Sequence, residues 1–118
     1  DNDADAIVNA RDNVSRNGVA HSVRVEQGLV DAAYLARFRE QPFDVIVANV
    51  LSGVLGPLLK DFFQALKPGG QVILGGILET EAGAMLVACE AAGFTVRAED
   101  LEQEWWGVLL ERPLAAAN

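Results

Sequence analysis

The chain has one cysteine, Cys89, and one histidine, His21, among its 118 residues. A lone cysteine excludes an internal disulfide framework and suits a reducing compartment. His21 has no Cys, Asp or Ser partner at motif spacing, so neither a metal site nor a nucleophilic triad is readable from it. Cys89 lies on an apolar helical stripe beside Met85 and reads as core. Basic residues are also scarce, with nine Lys and Arg against seventeen Asp and Glu and a formal charge of −8. That balance argues against nonspecific binding to nucleic acid or anionic membranes, which require a basic surface. A cationic ligand or a basic protein would be attracted instead. No apolar run reaches membrane-spanning length, and the acidic opening Asp1-Asn2-Asp3-Ala4-Asp5 is unlike a secretory leader.

What remains is a globular composition, with 51% hydrophobic and 22% charged residues, enough for one domain with a real core. Asp3 is positioned to cap a helix running to Asn17, with Ile7, Ala10 and Val14 as its apolar stripe and Gly18 as a left-handed stop. His21 to Glu26 alternates like a short strand. Leu29 to Arg39 reads as a short helix ended by Gln41-Pro42. Phe43 to Ala48 reads as a strand whose apolar run, continuous from Val45, is the pattern of burial on both faces. Leu51, Val54, Leu55, Leu58, Leu59, Phe62, Phe63 and Leu66 recur at helical spacing, with Pro57 marking the start of the regular helix. Gln71 to Ile77 is a second buried strand, and Glu79 to Ala92 a helix closed by Gly93. Phe94 to Leu101 and Trp105 to Glu111 form an antiparallel pair, with one tryptophan facing in and the other out. The tail after Pro113 is expected to fray.

Strands alternating with helices predict a parallel α/β sheet three layers thick, with an antiparallel hairpin at its end. In such sheets ligands bind beyond the carboxyl ends of the strands. Asn49 stands at that point on the Phe43–Ala48 strand. Its residue type suits either of two roles, capping the helix that begins near Leu51 or accepting a hydrogen bond from a substrate amine. Glu79, Glu81, Glu102 and Glu104 read as solvated acids. Gly69-Gly70 form a turn and not a phosphate cradle, because no helix follows them.

Asp1-Asn2-Asp3, Asn17-Gly18, Ala48-Asn49-Val50-Leu51, Lys67-Pro68-Gly69-Gly70, Gly76-Ile77-Leu78-Glu79, Ala92-Gly93-Phe94 and Glu104-Trp105 occur in one order and spacing. From Asp1 to about Arg112, this set resembles the C-terminal part of the PrmA-type, ribosomal protein L-eleven, methyltransferases. The resemblance implies a Rossmann-like class I methyltransferase sheet, mostly parallel with a C-terminal antiparallel hairpin. It also implies that residues 1–112 form a partial domain lacking the first strand and its glycine-rich turn, with 113–118 as tail. Ala4 departs from the proline usual in the family at the first helical position.

The same resemblance implies S-adenosylmethionine (SAM) as cofactor, N-methylation of lysine and amino groups, a basic ribosomal protein as substrate, and a cytoplasmic location. Asp1 would hold the cofactor ribose, since a carboxylate can accept from two neighbouring hydroxyls. Gly28, in the loop after the third strand of the family sheet, would lie near the adenine. Asn49 would be the active-site asparagine, orienting an amine lone pair while also bordering the cofactor. Neither direct nucleic-acid contact nor membrane contact is implied, and the isolated fragment is expected to be inactive. Without a first strand, the Phe43–Ala48 strand becomes an exposed hydrophobic edge that invites association. Two alternatives stay open: a class I methyltransferase for another protein amine, and a noncatalytic α/β interaction module.

Overall fold

The computed structural model describes residues 1–49 and 51–114. Val50, within the Ala48–Leu51 motif, and the end of the expected tail lie outside the described residues. The chain divides into two compact units, Asp1–Tyr34 and a second beginning at Leu35.

In the first unit, α1 (Ala4–Arg16) starts where Asp3 predicts, with the Asp3 carboxylate accepting from the Asp5 N–H at 3.0 Å. Gly18 follows at φ +66°, a left-handed residue that costs glycine nothing. Ile7 is the buried residue of the helix. The predicted strand His21–Glu26 does not form: residues 20–22 are turn, and 23–27 have no regular structure. Alternation alone cannot make a strand, because a strand needs a neighbour for its backbone hydrogen bonds. The helix expected over Leu29–Arg39 contracts to α2 (Ala32–Ala36), which begins in this unit and ends in the second, with Asp31 Oδ1 accepting from the Tyr34 N–H at 2.8 Å. Leu29 stays exposed.

The second unit is built on a four-stranded sheet ordered β1-β2-β4-β3. These are β1 (Phe43–Asn49), β2 (Leu66–Leu78), β3 (Thr95–Glu102) and β4 (Trp105–Glu111). The β1–β2 pair is parallel, and β4 runs antiparallel to both β2 and β3, which gives the expected terminal hairpin. Helical segments connect the parallel pair: α3 (Ser52–Leu55), a 3-10 turn over Gly56–Leu58 carrying Pro57, and α4 (Leu59–Ala65). A second 3-10 turn and α5 (Ala82–Ala91) lead from β2 to the hairpin. The Lys67–Gly70 turn lies inside β2 and bulges from the ladder: Phe43 pairs with Leu66, but Val45 with Gln71.

The core occupies one face of the sheet. Val72, Leu74, Ile77, Trp106, Val108 and Leu110 are buried there, beneath Leu55, Leu59, Phe62, Met85 and Cys89 from the helical segments. Burial pushes the Cys89 thiol up from 9.0 to about 11, with the Glu90 carboxylate adding to the rise. Trp106 faces in and donates from Nε1 to Glu99 at 3.0 Å, whereas Trp105 is 47% exposed.

The opposite face departs from expectation. Val45, Val47 and Ile73 are 49%, 68% and 44% exposed, so neither β1 nor β2 is buried on both sides. Within this unit the described helices cover one face only. A continuous apolar run marks residues able to be buried on either side; whether both sides are covered depends on what packs against them. Among the described residues β1 also stands at the edge of the sheet.

Candidate functional site

The carboxyl end of β1 carries Asn49, opposite Gly75 of β2. It is not a helix cap: Leu51 takes the N-cap position of α3, and no side chain caps that helix. Asn49 is exposed, on the face shared with Val45 and Val47. Its amide lies over a glycine pair in β2. A Cβ added to Gly76 would overlap Asn49 Oδ1 and stand 3.3 Å from Cγ, and one on Gly75 would stand 3.9 Å from Cγ. Gly76 has φ +72°, and the β2–β4 register shifts between Leu74 and Ile77. The bulge therefore leaves a side-chain-free seat that the amide occupies at the strand end. Paired glycines inside an apolar strand are a legible sign of close approach, a signal that motif spacing by itself does not convey.

Other groups sit at this end of the sheet. Ser52 donates to Glu81 Oε2 at 2.5 Å, joining the segment after β1 to the turn after β2. The Glu79 N–H donates to the Glu104 carbonyl at 2.8 Å, tying that turn to the hairpin tip. Glu81 is thus not a merely solvated acid. Glu79, Glu81, Glu102 and Glu104 all lie exposed on this rim.

In the first unit, Asp1 and Gly28 come together: the Gly28 N–H donates to the Asp1 carbonyl at 2.7 Å. Asp1 Oδ1 accepts from the Asp3 N–H at 2.9 Å, and Oδ2 has no partner among the described residues. Nearby, Glu26 accepts from the Tyr34 hydroxyl at 3.0 Å and pairs with Arg24 at 3.2 Å. No group of three metal-ligating side chains gathers among the described residues. No described helix is long and apolar enough to cross a membrane.

Comparison with known proteins agrees with the motif pattern. The family model "Ribosomal protein L11 methyltransferase (PrmA)" matches residues 1–113. A ribosomal protein L11 methyltransferase of Pelotomaculum thermopropionicum is 40% identical over 96 residues, covering 81% of this chain and 30% of that protein. Its counterpart in Geobacillus kaustophilus is 35% identical over 114 residues, covering 96% and 35%. Among solved structures, the ribosomal protein L11 methylase of Lactobacillus delbrueckii subsp. bulgaricus superposes with a TM-score of 0.77 at 26% identity, over 96% of this chain and 55% of that one. The chain thus spans about a third of the length of the curated relatives it matches. With a family model matched across nearly its whole length, the chain belongs to the PrmA family of ribosomal protein L11 methyltransferases.

Proposed function

We propose that residues 1–112 are part of the catalytic domain of a SAM-dependent protein methyltransferase that N-methylates lysine and amino groups of a large-subunit ribosomal protein in the cytoplasm. The observation that carries this reading is the Asn49 amide, which stands exposed at a strand's carboxyl end, over Gly76, with no capping duty.

SAM supplies an electrophilic methyl group on a sulfonium. The chain's own part is to present a neutral amine with its lone pair aimed at that carbon. An amide carbonyl is suited to this, because it accepts one amine N–H, fixes the lone pair's direction and adds no competing nucleophile. The exposed site lets the amine's proton leave to water. Asp1 fits the ribose, because Oδ2 is uncommitted and Oδ1 is held by the Asp3 N–H. Gly28, bonded to the Asp1 carbonyl, places a side-chain-free backbone beside that carboxylate, where an adenine ring could approach. The acidic rim of Glu79, Glu81, Glu102 and Glu104 supports a basic, lysine-bearing substrate. The chain's share of its relatives, 30% and 35%, supports inactivity in isolation.

The test is a chimera carrying this chain in place of the matching segment of the Geobacillus relative, assayed for methyl transfer to L11. Transfer is expected, and Asn49→Ala should lower kcat about a hundredfold through lost orientation. A folded chimera that binds SAM but leaves L11 unmethylated would favour another protein amine. One that gives no heat with SAM in calorimetry would favour a noncatalytic module.

A further inference from the structure

At the end of the sheet opposite Asn49, where β1 and β2 begin, Arg39, Pro42, Gln64, Leu66, Pro68 and Arg112 line a cavity of about 400 Å³. Two of the chain's nine cations lie there, and no carboxylate lines the cavity among the described residues. The acids on the neighbouring strand ends are already paired, Asp44 with Lys67 at 2.9 Å and Glu111 with Arg97. Arg112 is held in a fixed orientation. Its Nη1 donates to the carbonyls of Phe63 at 2.9 Å and Leu66 at 2.7 Å, and its guanidinium lies 4.6 Å from the centre of the Phe63 ring. Nε and Nη2 have no hydrogen-bond partner among the described residues. That edge of a guanidinium is the fork that meets two oxygens of an oxyanion. Arg39 makes no ion pair among the described residues, and the Gln64 side chain adds an amide donor.

We propose that this cavity binds a phosphate group, either free or as a monoester. Two guanidiniums match a group whose charge near neutral pH is about −1.5 to −2, better than they match a single carboxylate. Leu66, Pro42 and Pro68 form apolar walls, leaving room for a small organic body beside the phosphate. The proposal is independent of methyl transfer.

The test is a titration of the isotope-labelled 118-residue chain, followed by NMR at constant ionic strength. Inorganic phosphate is one arm, adenosine monophosphate a second, and chloride the reference. Phosphate should give saturable shifts at Gln64, Leu66 and the Arg112 Nε–H that chloride does not. Tighter binding of the monoester would assign the site to a phosphate carried on an organic body; equal binding would assign it to the free oxyanion. Arg39→Gln should weaken either ligand about tenfold, the loss of one charge-assisted bond, without moving the melting temperature. Arg112→Lys keeps the charge but removes the fork, and should weaken binding more than Arg39→Gln. Shifts no larger than those with chloride would overturn the proposal, as would unchanged affinity in the folded Arg39→Gln protein.

Discussion

Replacing Gly76 by alanine tests the seat of the Asn49 amide. The added Cβ would overlap Asn49 Oδ1 and come 3.3 Å from Cγ, so the amide must rotate away. The new residue must also adopt φ +72°. A left-handed conformation costs an L residue about 1–2 kcal/mol. Forcing Asn49 off its rotamer adds about 0.5–1.5 kcal/mol. The single variant should therefore lose about 1.5–3.5 kcal/mol. Asn49→Ala alone, at an exposed position, should change stability by no more than about 0.5 kcal/mol. In the double variant the overlap is gone and only the backbone cost remains. The cycle should then show a coupling of about 0.5–1.5 kcal/mol.

Urea unfolding measures this directly, with stability read from the midpoint at a common slope. Gly83→Ala is the control, since its added Cβ would meet nothing within 4 Å. That variant should gain about 0.5–1 kcal/mol from helix propensity. The side-chain NH2 signal of Asn49 should move in Gly76→Ala and stay in place in Gly83→Ala. Additivity of Gly76→Ala and Asn49→Ala within about 0.3 kcal/mol would refute the seat. Because both substitutions displace one amide, the chimera should lose kcat to a similar extent with either.

Two further outcomes follow from the core and the edge. Cys89 keeps its proton in the folded state up to about 11, against 9.0 for an ordinary thiol. The unfolded chain binds fewer protons across that interval, so stability is fully present below pH 9.0 and falls toward about 11. The loss is on the order of 2 kcal/mol; Cys89→Ala should remove that part of the alkaline slope, and a slope unchanged by the substitution would contradict the assignment. At the edge, Val47 is exposed on a strand with no neighbour on one side among the described residues, so the 118-residue chain should self-associate and Val47→Lys should shift it toward monomer in sedimentation velocity. A wild-type chain that sediments as a monomer at high concentration would rule out pairing through β1.

The features legible in the sequence are those set by local chemistry. Asp3 caps α1 because its carboxylate reaches an N–H two residues on, and Gly18 ends the segment because it alone there adopts positive φ without cost. The hairpin parity is readable too, since successive strand residues face opposite ways and only Trp106 of the pair can reach the core. Features that depend on a distant neighbour are not. His21–Glu26 alternates but pairs with nothing, and the apolar Phe43–Ala48 run has a cover on one face only. The Arg112 cavity joins residues from three separate stretches of chain, and no spacing rule announces it.

At Asn49 the structure removes one of two roles that residue type leaves open. Its side chain suits a cap and an amine acceptor equally well, and the choice depends on where α3 begins. With Leu51 at the N-cap position, the capping role has no helix to serve. Room for the amide is a separate matter, supplied on another strand by two residues with no side chains. Gly75 sits opposite Asn49 in the ladder, and Gly76 follows in the left-handed conformation that opens the bulge. An exposed polar group at a strand's carboxyl end, over a glycine seat and with no capping duty, contributes little to stability. The Gly76→Ala and Asn49→Ala cycle measures how far that seat sets the amide's position, apart from the chemistry.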